Sequence, residues 1–328
     1  MEQPLLDSFG RKIDYLRVSL TESCNFHCVY CAPTEKVTLA PPRELLASDE
    51  LIRLLRIFAR LGIRRVRLTG GEPLLRRDIV SLVRTLRGFS KFEDIALTTN
   101  GSFLASLAEP LERAGLSAVN VSLDSLNRER FARITGRDRL KEVMAGIDRA
   151  VAMSLRVKIN VMALMDLSRE EVLEFCRMAF ERPISVRFLE FMPLCGEGWT
   201  PDRMLPIGTV RRWISNEYPL RRQHRGPHAA ETFAIDGARG TVGFIASLTE
   251  PFCEACNRLR LTATGRVHLC LFSPLEFDLR AAVRDGSGDE EIESQIRRAV
   301  LQKPRERSAF SEWKKGQDPL PRIRVLGG

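Results

Sequence analysis

The sequence predicts an α/β protein, either a full or a partial (β/α) barrel. Two observations favour this fold class: short apolar segments alternate with amphipathic ones through the first two-thirds of the chain, and serines and glycines bound the helical segments. Repeated strand-helix units make successive strands parallel, with right-handed crossovers. The candidate strands are residues 15–20, 64–70, 94–100, 118–124, 157–164 and 184–191.

The helical segments carry recognisable start and stop signals. Ser48 and Ser168 precede amphipathic stretches and predict N-caps, whereas Gly62 and Gly115 predict helix C-termini.

The regular alternation breaks after about residue 193, which suggests a second region. It holds a helix-like stretch at 206–217, a basic stretch at 221–228 and a hairpin-like stretch at 241–271. We therefore divide the chain into residues 1–195 and residues 196–328.

Composition narrows the classes of partner. Lys and Arg outnumber Asp and Glu by 51 to 42 in 328 residues, and the net charge of +9 favours anionic ligands. The basic residues are dispersed without interleaved aromatics, so we expect no nucleic acid. No apolar run reaches the roughly 20 residues of a membrane span, and the N-terminus lacks signal-peptide features. We expect a cytoplasmic protein that does not bind membranes.

Four polar or glycine-rich motifs follow the predicted strands. They are TGGEP (69–73), TTNG (98–101), SLD (122–124) and EFM (190–192). In parallel α/β folds, ligands bind where the C-terminal ends of strands meet the following loops. The four motifs therefore predict one site on a common rim.

Eight cysteines in a reducing compartment favour metal-binding or catalytic roles over a disulfide framework. The first cluster is CNFHCVYC, in which Cys24, Cys28 and Cys31 follow the first predicted strand. Three thiolates on one loop can bind three irons of a 4Fe-4S cubane and leave the fourth iron open for a small molecule. The alternative is a zinc site, which needs a fourth ligand that the crowded His27 supplies poorly.

The second cysteine cluster lies near the C-terminus. Cys253 and Cys256 belong to CEAC, and Cys270 follows after thirteen intervening residues. His268 is near enough in sequence to complete a Cys3His zinc site, so this cluster alone is ambiguous between zinc and iron-sulfur. Beside the first cluster, a second 4Fe-4S site is favoured. Cys176 falls in an apolar helical stripe and is expected in the core, and Cys195 has no assigned role.

These motifs resemble a known family. CNFHCVYC with TGGEP is similar to the radical S-adenosylmethionine superfamily. Within it, the C-terminal cysteine spacing, NRLRLTATG, RFLEFMP and the terminal Gly327-Gly328 resemble the GTP 3′,8-cyclases (MoaA) of molybdenum cofactor biosynthesis. The resemblance runs end to end. It implies a partial (β/α)6-type TIM barrel and a smaller C-terminal α+β region carrying the second 4Fe-4S cluster.

The resemblance implies a lyase that reductively cleaves S-adenosylmethionine. The resulting 5′-deoxyadenosyl radical abstracts hydrogen from C3′ of GTP, and C3′ closes on guanine C8 to give (8S)-3′,8-cyclo-7,8-dihydroguanosine 5′-triphosphate. The resemblance implies that the first cysteine cluster binds the 4Fe-4S cluster that carries S-adenosylmethionine. The second cysteine cluster is implied to bind the 4Fe-4S cluster that holds guanine. The implied S-adenosylmethionine contacts are Tyr30, Gly71, Ser122 and Met192.

The resemblance also assigns the substrate site. Arg17, Arg258 and Arg260 are the implied catalytic residues. The implied GTP contacts are these three arginines with Arg67, Thr98 and Lys158. Arginines suit a triphosphate because they are permanently charged, multidentate donors.

In the family the C-terminal tail reaches the active site. The resemblance therefore implies that Gly327 and Gly328 lie there. This chain departs from the family with a positive charge at Arg324. The implied partners are GTP, an electron donor such as flavodoxin or ferredoxin, and a downstream cyclic pyranopterin monophosphate synthase. The chain is expected to be a monomer or homodimer.

Two other functions compete with this one. A radical S-adenosylmethionine peptide maturase shares the first motif but tends to carry more C-terminal cysteines. A non-catalytic basic protein with two zinc sites would also use both cysteine clusters.

Overall fold

The structure is a computed structural model, and it describes residues 4–31, 39–194, 200–223, 230–307 and 323–327. Within these residues one sheet contains twelve strands. In chain order they are β1 (Tyr15–Ser19), β2 (Arg65–Thr69), β3 (Asp94–Thr99), β4 (Ala118–Ser122), β5 (Arg156–Ala163), β6 (Ile184–Glu190), β7 (Leu220–Arg222), β8 (Glu231–Ile235), β9 (Thr241–Ile245), β10 (Arg258–Leu261), β11 (Arg266–His268) and β12 (Glu276–Asp278). All six strands predicted from the sequence are confirmed as β1 to β6.

Helices lie between the strands and after the last strand. They are α1 (Ser48–Arg60), α2 (Ile79–Arg87), α3 (Leu104–Arg113), α4 (Arg128–Thr135), α5 (Leu140–Ala152), α6 (Arg169–Glu181), α7 (Ile207–Ser215), α8 (Leu279–Arg284), α9 (Asp289–Val300) and α10 (Ile323–Leu326). The helix predicted at 206–217 is confirmed as α7. No described helix is long and apolar enough to cross a membrane.

The predicted helix boundaries are mostly confirmed. Ser168 caps α6 by accepting a hydrogen bond from the Glu171 amide, and Gly62 and Gly115 adopt positive φ angles of 100° and 98°. The N-cap predicted at Ser48 is wrong, because Ser48 is the first helical residue and its hydroxyl donates to Asp78.

The sheet has the order β12-β11-β10-β1-β2-β3-β4-β5-β6-β9-β8-β7. The eight strands from β10 to β9 are parallel, and antiparallel strands extend both ends. This parallel-rich sheet confirms the α/β class. The hairpin-like stretch expected at 241–271 contains a hairpin, formed by β10 and β11 beside β1, whereas β9 at its start pairs with β6 at the other end of the parallel run.

The parallel strands position the site. Their apolar side chains, such as Val18, Leu68 and Val121, are fully buried in one core with the helices. Because β1 to β6 are parallel, their C-terminal ends lie on the same side of the sheet. The loops that follow these strands gather there.

Candidate functional site

A cavity of about 480 Å³ opens at the edge of the sheet where the predicted motifs meet. Gly71 of TGGEP, Asn100 of TTNG, Ser122 of SLD and Met192 of EFM all line it, which confirms that the four motifs converge. Its volume is typical of a site for small-molecule ligands. Among the described residues, nine Arg and Lys side chains line the cavity, against two Asp. A polyanion is the ligand that this charge favours.

Strand register places the cations in rows. Arg17 of β1 pairs with Arg67 of β2 on one side and with Arg260 of β10 on the other. In a second row, Thr98 of β3 pairs with Asn120, which pairs with Lys158 of β5. Paired residues on adjacent strands share a face about 5 Å apart. All these side chains line the cavity, so the parallel sheet builds a continuous cationic surface.

The clustered charges perturb one another. Burial and the neighbouring Arg260 lower the pKa of Arg17 well below its usual range. Burial and then Arg187 and Arg67 lower the pKa of Lys158 to about 8. Holding these like charges together costs free energy that a bound anion recovers.

Tyr15 lies among the arginines. Burial alone would raise its pKa, but Arg67 and Arg17 outweigh burial and lower the pKa to about 8. The Arg67 Nε donates to the Tyr15 hydroxyl, and the Arg258 guanidinium lies 5.8 Å from the ring centroid. Tyr15 therefore orients Arg67 and Arg258, two of the predicted GTP contacts.

Several buried polar atoms of the cavity have no hydrogen-bond partner among the described residues. They are Arg67 Nη1, Arg187 Nε, Thr98 Oγ1 and Asn120 Oδ1. Buried polar atoms of folded proteins are nearly always hydrogen-bonded, so these atoms mark where ligand groups bind.

The first cysteine cluster lies at one end of the same cavity. Cys24, Cys28 and Cys31 all line it. Backbone hydrogen bonds of 2.9 Å from the His27 and Val29 amides to the end of α4 fix the loop. Burial raises the pKa of Cys28 well above its usual range, and Cys31 adds to the rise. A buried thiolate at this position needs a neighbouring positive charge, and a metal ion can supply that charge.

The predicted S-adenosylmethionine contacts surround this loop. Tyr30, Gly71, Ser122 and Met192 all line the cavity with the cysteines. The Tyr30 hydroxyl donates a 2.5 Å hydrogen bond to Asp124, which is buried. A Cβ at Gly71 would overlap the backbone of Ser23, so glycine is required where the two loops touch.

The second cysteine cluster lies on the chain segments next to β10 and β11. Cys253 begins a short 3-10 turn and Cys256 follows its end, just before β10, and Cys270 follows β11. The three cysteines do not line the cavity, although their neighbours Asn257 and Leu271 do.

The pKa of the Cys256 thiol is lowered. Burial raises it, but the charges of Lys303 and Arg258 outweigh burial. His268, the candidate fourth zinc ligand, has its Nε2 3.2 Å from a Glu276 carboxylate oxygen.

No three His, Cys, Asp or Glu side chains in the described ranges are gathered closely enough to hold a single metal ion. A cubane binds each cysteine through a different iron, so its ligands stand farther apart than those of one zinc ion.

The described end of the tail enters the cavity. The Gly327 carbonyl accepts a 2.7 Å hydrogen bond from Arg260 and the Leu326 carbonyl one of 3.2 Å. A Cβ on Gly327 would overlap Thr69, and its φ of 76° also favours glycine.

Gly328 and Cys195 lie outside the described residues. Cys176 is 1% exposed in α6, as expected of a core residue, and burial raises its pKa to about 12.

Two family models match consecutive parts of the chain. The Radical SAM superfamily model covers residues 18–179, and the Molybdenum Cofactor Synthesis C model covers residues 184–309. The chain is 39% identical to GTP 3′,8-cyclase of Syntrophomonas wolfei over 99% of its own length and 100% of that protein. The chain belongs to the GTP 3′,8-cyclase family. The predicted cofactors, S-adenosylmethionine and two 4Fe-4S clusters, are confirmed as those of this family.

Other members of the GTP 3′,8-cyclase family give the same result. The enzyme of Moorella thermoacetica is 41% identical over 94% of this chain and 96% of its own. Molybdenum cofactor biosynthesis protein 1 of Drosophila melanogaster is 44% identical over 93% of this chain, which spans about half of that longer protein.

Solved structures show the same fold at low identity. SuiB of Streptococcus suis, crystallised with S-adenosylmethionine, has a TM-score of 0.64 at 15% identity over 96% of this chain and 77% of its own. HydG, a maturase of the [FeFe]-hydrogenase, has a TM-score of 0.51 at 12% identity over 61% of this chain and 48% of its own.

The predicted site residues of this GTP 3′,8-cyclase family member that lie in the described ranges line the cavity, except the second cysteine cluster, of which only the sequence neighbours Asn257 and Leu271 line it. The sequence analysis missed Arg187, which lines the cavity and donates a 2.6 Å hydrogen bond to Asn160. A signal was present, because Ser185, Arg187 and Leu189 alternate with buried residues along β6 and therefore share its cavity face.

Proposed function

We propose that the cavity binds S-adenosylmethionine at the first cysteine cluster and GTP along the arginine rows, and that the chain is a GTP 3′,8-cyclase. Its product is (8S)-3′,8-cyclo-7,8-dihydroguanosine 5′-triphosphate, the first intermediate of molybdenum cofactor biosynthesis. One observation carries the proposal: Cys24, Cys28 and Cys31 share a single cavity with Arg17, Arg67, Lys158, Arg258 and Arg260. A radical source and a triphosphate site are thus within one enclosure.

At one end, Cys24, Cys28 and Cys31 hold a 4Fe-4S cluster, which supplies the 5′-deoxyadenosyl radical when S-adenosylmethionine is bound. Gly71 gives the cofactor access to the backbone, and Ser122 and Met192 contact it beside the ring of Tyr30. Asp124 holds the Tyr30 hydroxyl and accepts the Met162 amide at 2.8 Å, which fixes the ring before ligands bind.

At the other end, the cationic rows bind the triphosphate. Arg17, Arg67 and Arg260 form one row and Lys158 stands in the second beside Thr98, so several phosphate oxygens are bound at once. The mutual repulsion that lowers the pKa of Arg17 is relieved by a polyanion. Arg17, Arg258 and Arg260 act in catalysis by holding GTP while C3′ and C8 approach one another.

Cys253, Cys256 and Cys270 would hold the second 4Fe-4S cluster, which would supply a binding site for guanine. Support comes from Asn257 and Leu271, which line the cavity while being adjacent in sequence to Cys256 and Cys270. Arg258 and Arg260 alternate along β10, directly after Cys256, so the same strand links this cluster to the triphosphate row.

The finer architecture forms part of this proposal. We regard residues 1–195 as a partial (β/α)6-type barrel and residues 196–328 as the C-terminal region with the second cluster. Flavodoxin or ferredoxin supplies two electrons, one to cleave S-adenosylmethionine and one that, with a proton, reduces the radical left when C3′ closes on C8. A cyclic pyranopterin monophosphate synthase consumes the product. We place the protein in the cytoplasm, where cysteines stay reduced and available to bind iron.

The function is tested by anaerobic turnover with GTP deuterated at C3′. The reduced, reconstituted protein is expected to form 5′-deoxyadenosine only when GTP is present, with one deuterium transferred, together with the cyclised triphosphate. ATP in place of GTP is the control, because ATP carries the same triphosphate but lacks guanine. Deoxyadenosine formation that is independent of GTP, or deuterium retained in the nucleotide, contradicts the proposal.

Metal analysis separates the two competing classes. Two cubanes give about eight irons per chain and a brown protein, whereas the zinc-protein alternative gives zinc and no colour. Stoichiometric zinc without iron after anaerobic purification would end the radical proposal. The peptide-maturase alternative has less support, because nine cations around one cavity match a triphosphate better than a peptide.

A further inference from the structure

Arg324 is a buried arginine in the tail that none of the predicted roles uses. It lies in α10, the last described helix, which packs against β1, and it is 6% exposed. Its side chain lines the cavity. Arginine is almost never this buried unless it is paired with a partner.

The Arg324 side chain reaches the junction between two cofactor loops. Its Nε donates a hydrogen bond to the carbonyl oxygen of Glu22, two residues before Cys24. The Gly71 amide bonds the neighbouring Thr21 carbonyl at 2.7 Å, and a Cβ at Gly71 would lie 2.8 Å from the Glu22 oxygen. Arg324 therefore stands where the cysteine loop meets the TGGEP loop.

The charge of Arg324 lacks a carboxylate partner within the described ranges. Two acids come near this junction, and both have other donors. The Glu72 carboxylate accepts from Leu74, Thr99 and Asn100, and the Glu22 carboxylate accepts from the Ala40 amide at 2.8 Å. A buried guanidinium with one backbone contact retains donors for an anionic ligand.

We propose that Arg324 binds the carboxylate of S-adenosylmethionine, an inference that rests on the proposed function. The carboxylate is the only anionic group of that molecule. Tyr30, Gly71, Ser122 and Met192 place the cofactor at the loop junction that Arg324 reaches. The triphosphate has its own cations in the strand rows, where Arg260 also holds the carbonyls of Leu326 and Gly327. The tail thus contributes one side chain to the cofactor site and two carbonyls to the substrate row.

The test compares two ligands that differ in one group. S-adenosylmethionine and its decarboxylated analogue are titrated calorimetrically into the reconstituted protein under anaerobic conditions. Arg324→Met, which keeps length and removes charge, is expected to weaken S-adenosylmethionine binding by about 10- to 100-fold, the range for a hydrogen bond to a charged group. It is expected to leave the affinity for the analogue unchanged. Arg324→Lys is expected to recover part of the loss.

Controls separate charge from structure. Arg239→Met removes an exposed arginine that also donates to one backbone carbonyl, that of Glu181, away from the cavity. Iron content and thermal unfolding of each variant show that the clusters and fold are intact.

Three outcomes are distinguishable. Equal losses for both ligands would assign Arg324 a structural role and overturn the inference. GTP is titrated in parallel, and a loss of GTP affinity with S-adenosylmethionine affinity intact would assign the charge of Arg324 to the triphosphate and also overturn the inference. An unsubstituted protein that binds neither ligand would instead contradict the proposed function.

Discussion

The side-chain ammonium of Lys303 donates a 3.0 Å hydrogen bond to the backbone carbonyl of Arg258. It donates another to the carbonyl of Leu269, and the residue is 3% exposed. Arg258 lies two residues after Cys256, and Leu269 immediately precedes Cys270. One buried cation therefore ties together the two segments that carry the second cysteine cluster.

Replacing Lys303 is expected to loosen this cluster. Lys303→Met leaves two buried carbonyls without their donor, at a cost of about 1–3 kcal/mol in the free energy of unfolding. The variant should retain less iron per chain after anaerobic reconstitution, while the first cluster still cleaves S-adenosylmethionine. Iron analysis and denaturant unfolding measure both effects. Lys141→Met, at an exposed position of α5, is the control, and full iron with unchanged stability in Lys303→Met would contradict the prediction.

Gly71 is expected to be intolerant of any side chain. A Cβ there would overlap the Ser23 backbone and approach the Glu22 carbonyl, so Gly71→Ala must separate the cysteine loop from the TGGEP loop. We expect at least a tenfold loss of S-adenosylmethionine affinity by calorimetry. Gly208→Ala is the matched control because nothing lies within 4 Å of its Cβ in α7, and alanine there favours the helix. Normal cofactor affinity in Gly71→Ala would show that the loops are not held in contact.

Tyr30 and Asp124 are expected to act as one unit. Tyr30→Phe and Asp124→Asn each disturb the 2.5 Å hydrogen bond that orients the ring, and each should lower the unfolding free energy by about 1–3 kcal/mol. The double variant should lose less than the sum, with a coupling of about 0.5–3 kcal/mol in a double-mutant cycle. Tyr218→Phe, in a partly buried tyrosine outside the cavity, is the control. Additive losses would mean that the two side chains act independently.

GTP affinity is expected to fall as pH rises through about 8. Burial and the neighbouring arginines lower the pKa of Lys158 to about 8 in the free protein, and a bound triphosphate raises it again. Binding therefore takes up a proton above pH 8, and affinity declines by up to about tenfold per pH unit.

Calorimetry between pH 7 and 9 measures this dependence. Lys158→Arg, which stays charged throughout, should flatten the profile while retaining binding. Tyr15, whose pKa is also about 8, is unchanged in that variant and accounts for any remaining slope. An identical slope in the variant would exclude Lys158 as the titrating group.

For stability the linkage of Lys158 has the opposite sign. Its pKa is lower in the folded chain than in the unfolded chain, so between about 8 and the ordinary value of 10.5 the unfolded chain binds more protons. In the absence of ligand, the contribution of Lys158 to folding stability therefore rises with pH across that window.

The sequence by itself determined the strands and the cysteine clusters, because both are local patterns. Apolar runs of β1 to β6 and the spacing of Cys24, Cys28 and Cys31 are readable from neighbouring residues alone. The tertiary structure decided which distant charges meet. Arg17 stands beside Arg260 because β10 pairs with β1, and Arg324 reaches Glu22 because the tail enters the cavity. Such contacts depend on strand pairing and chain packing across hundreds of residues, which no local pattern encodes.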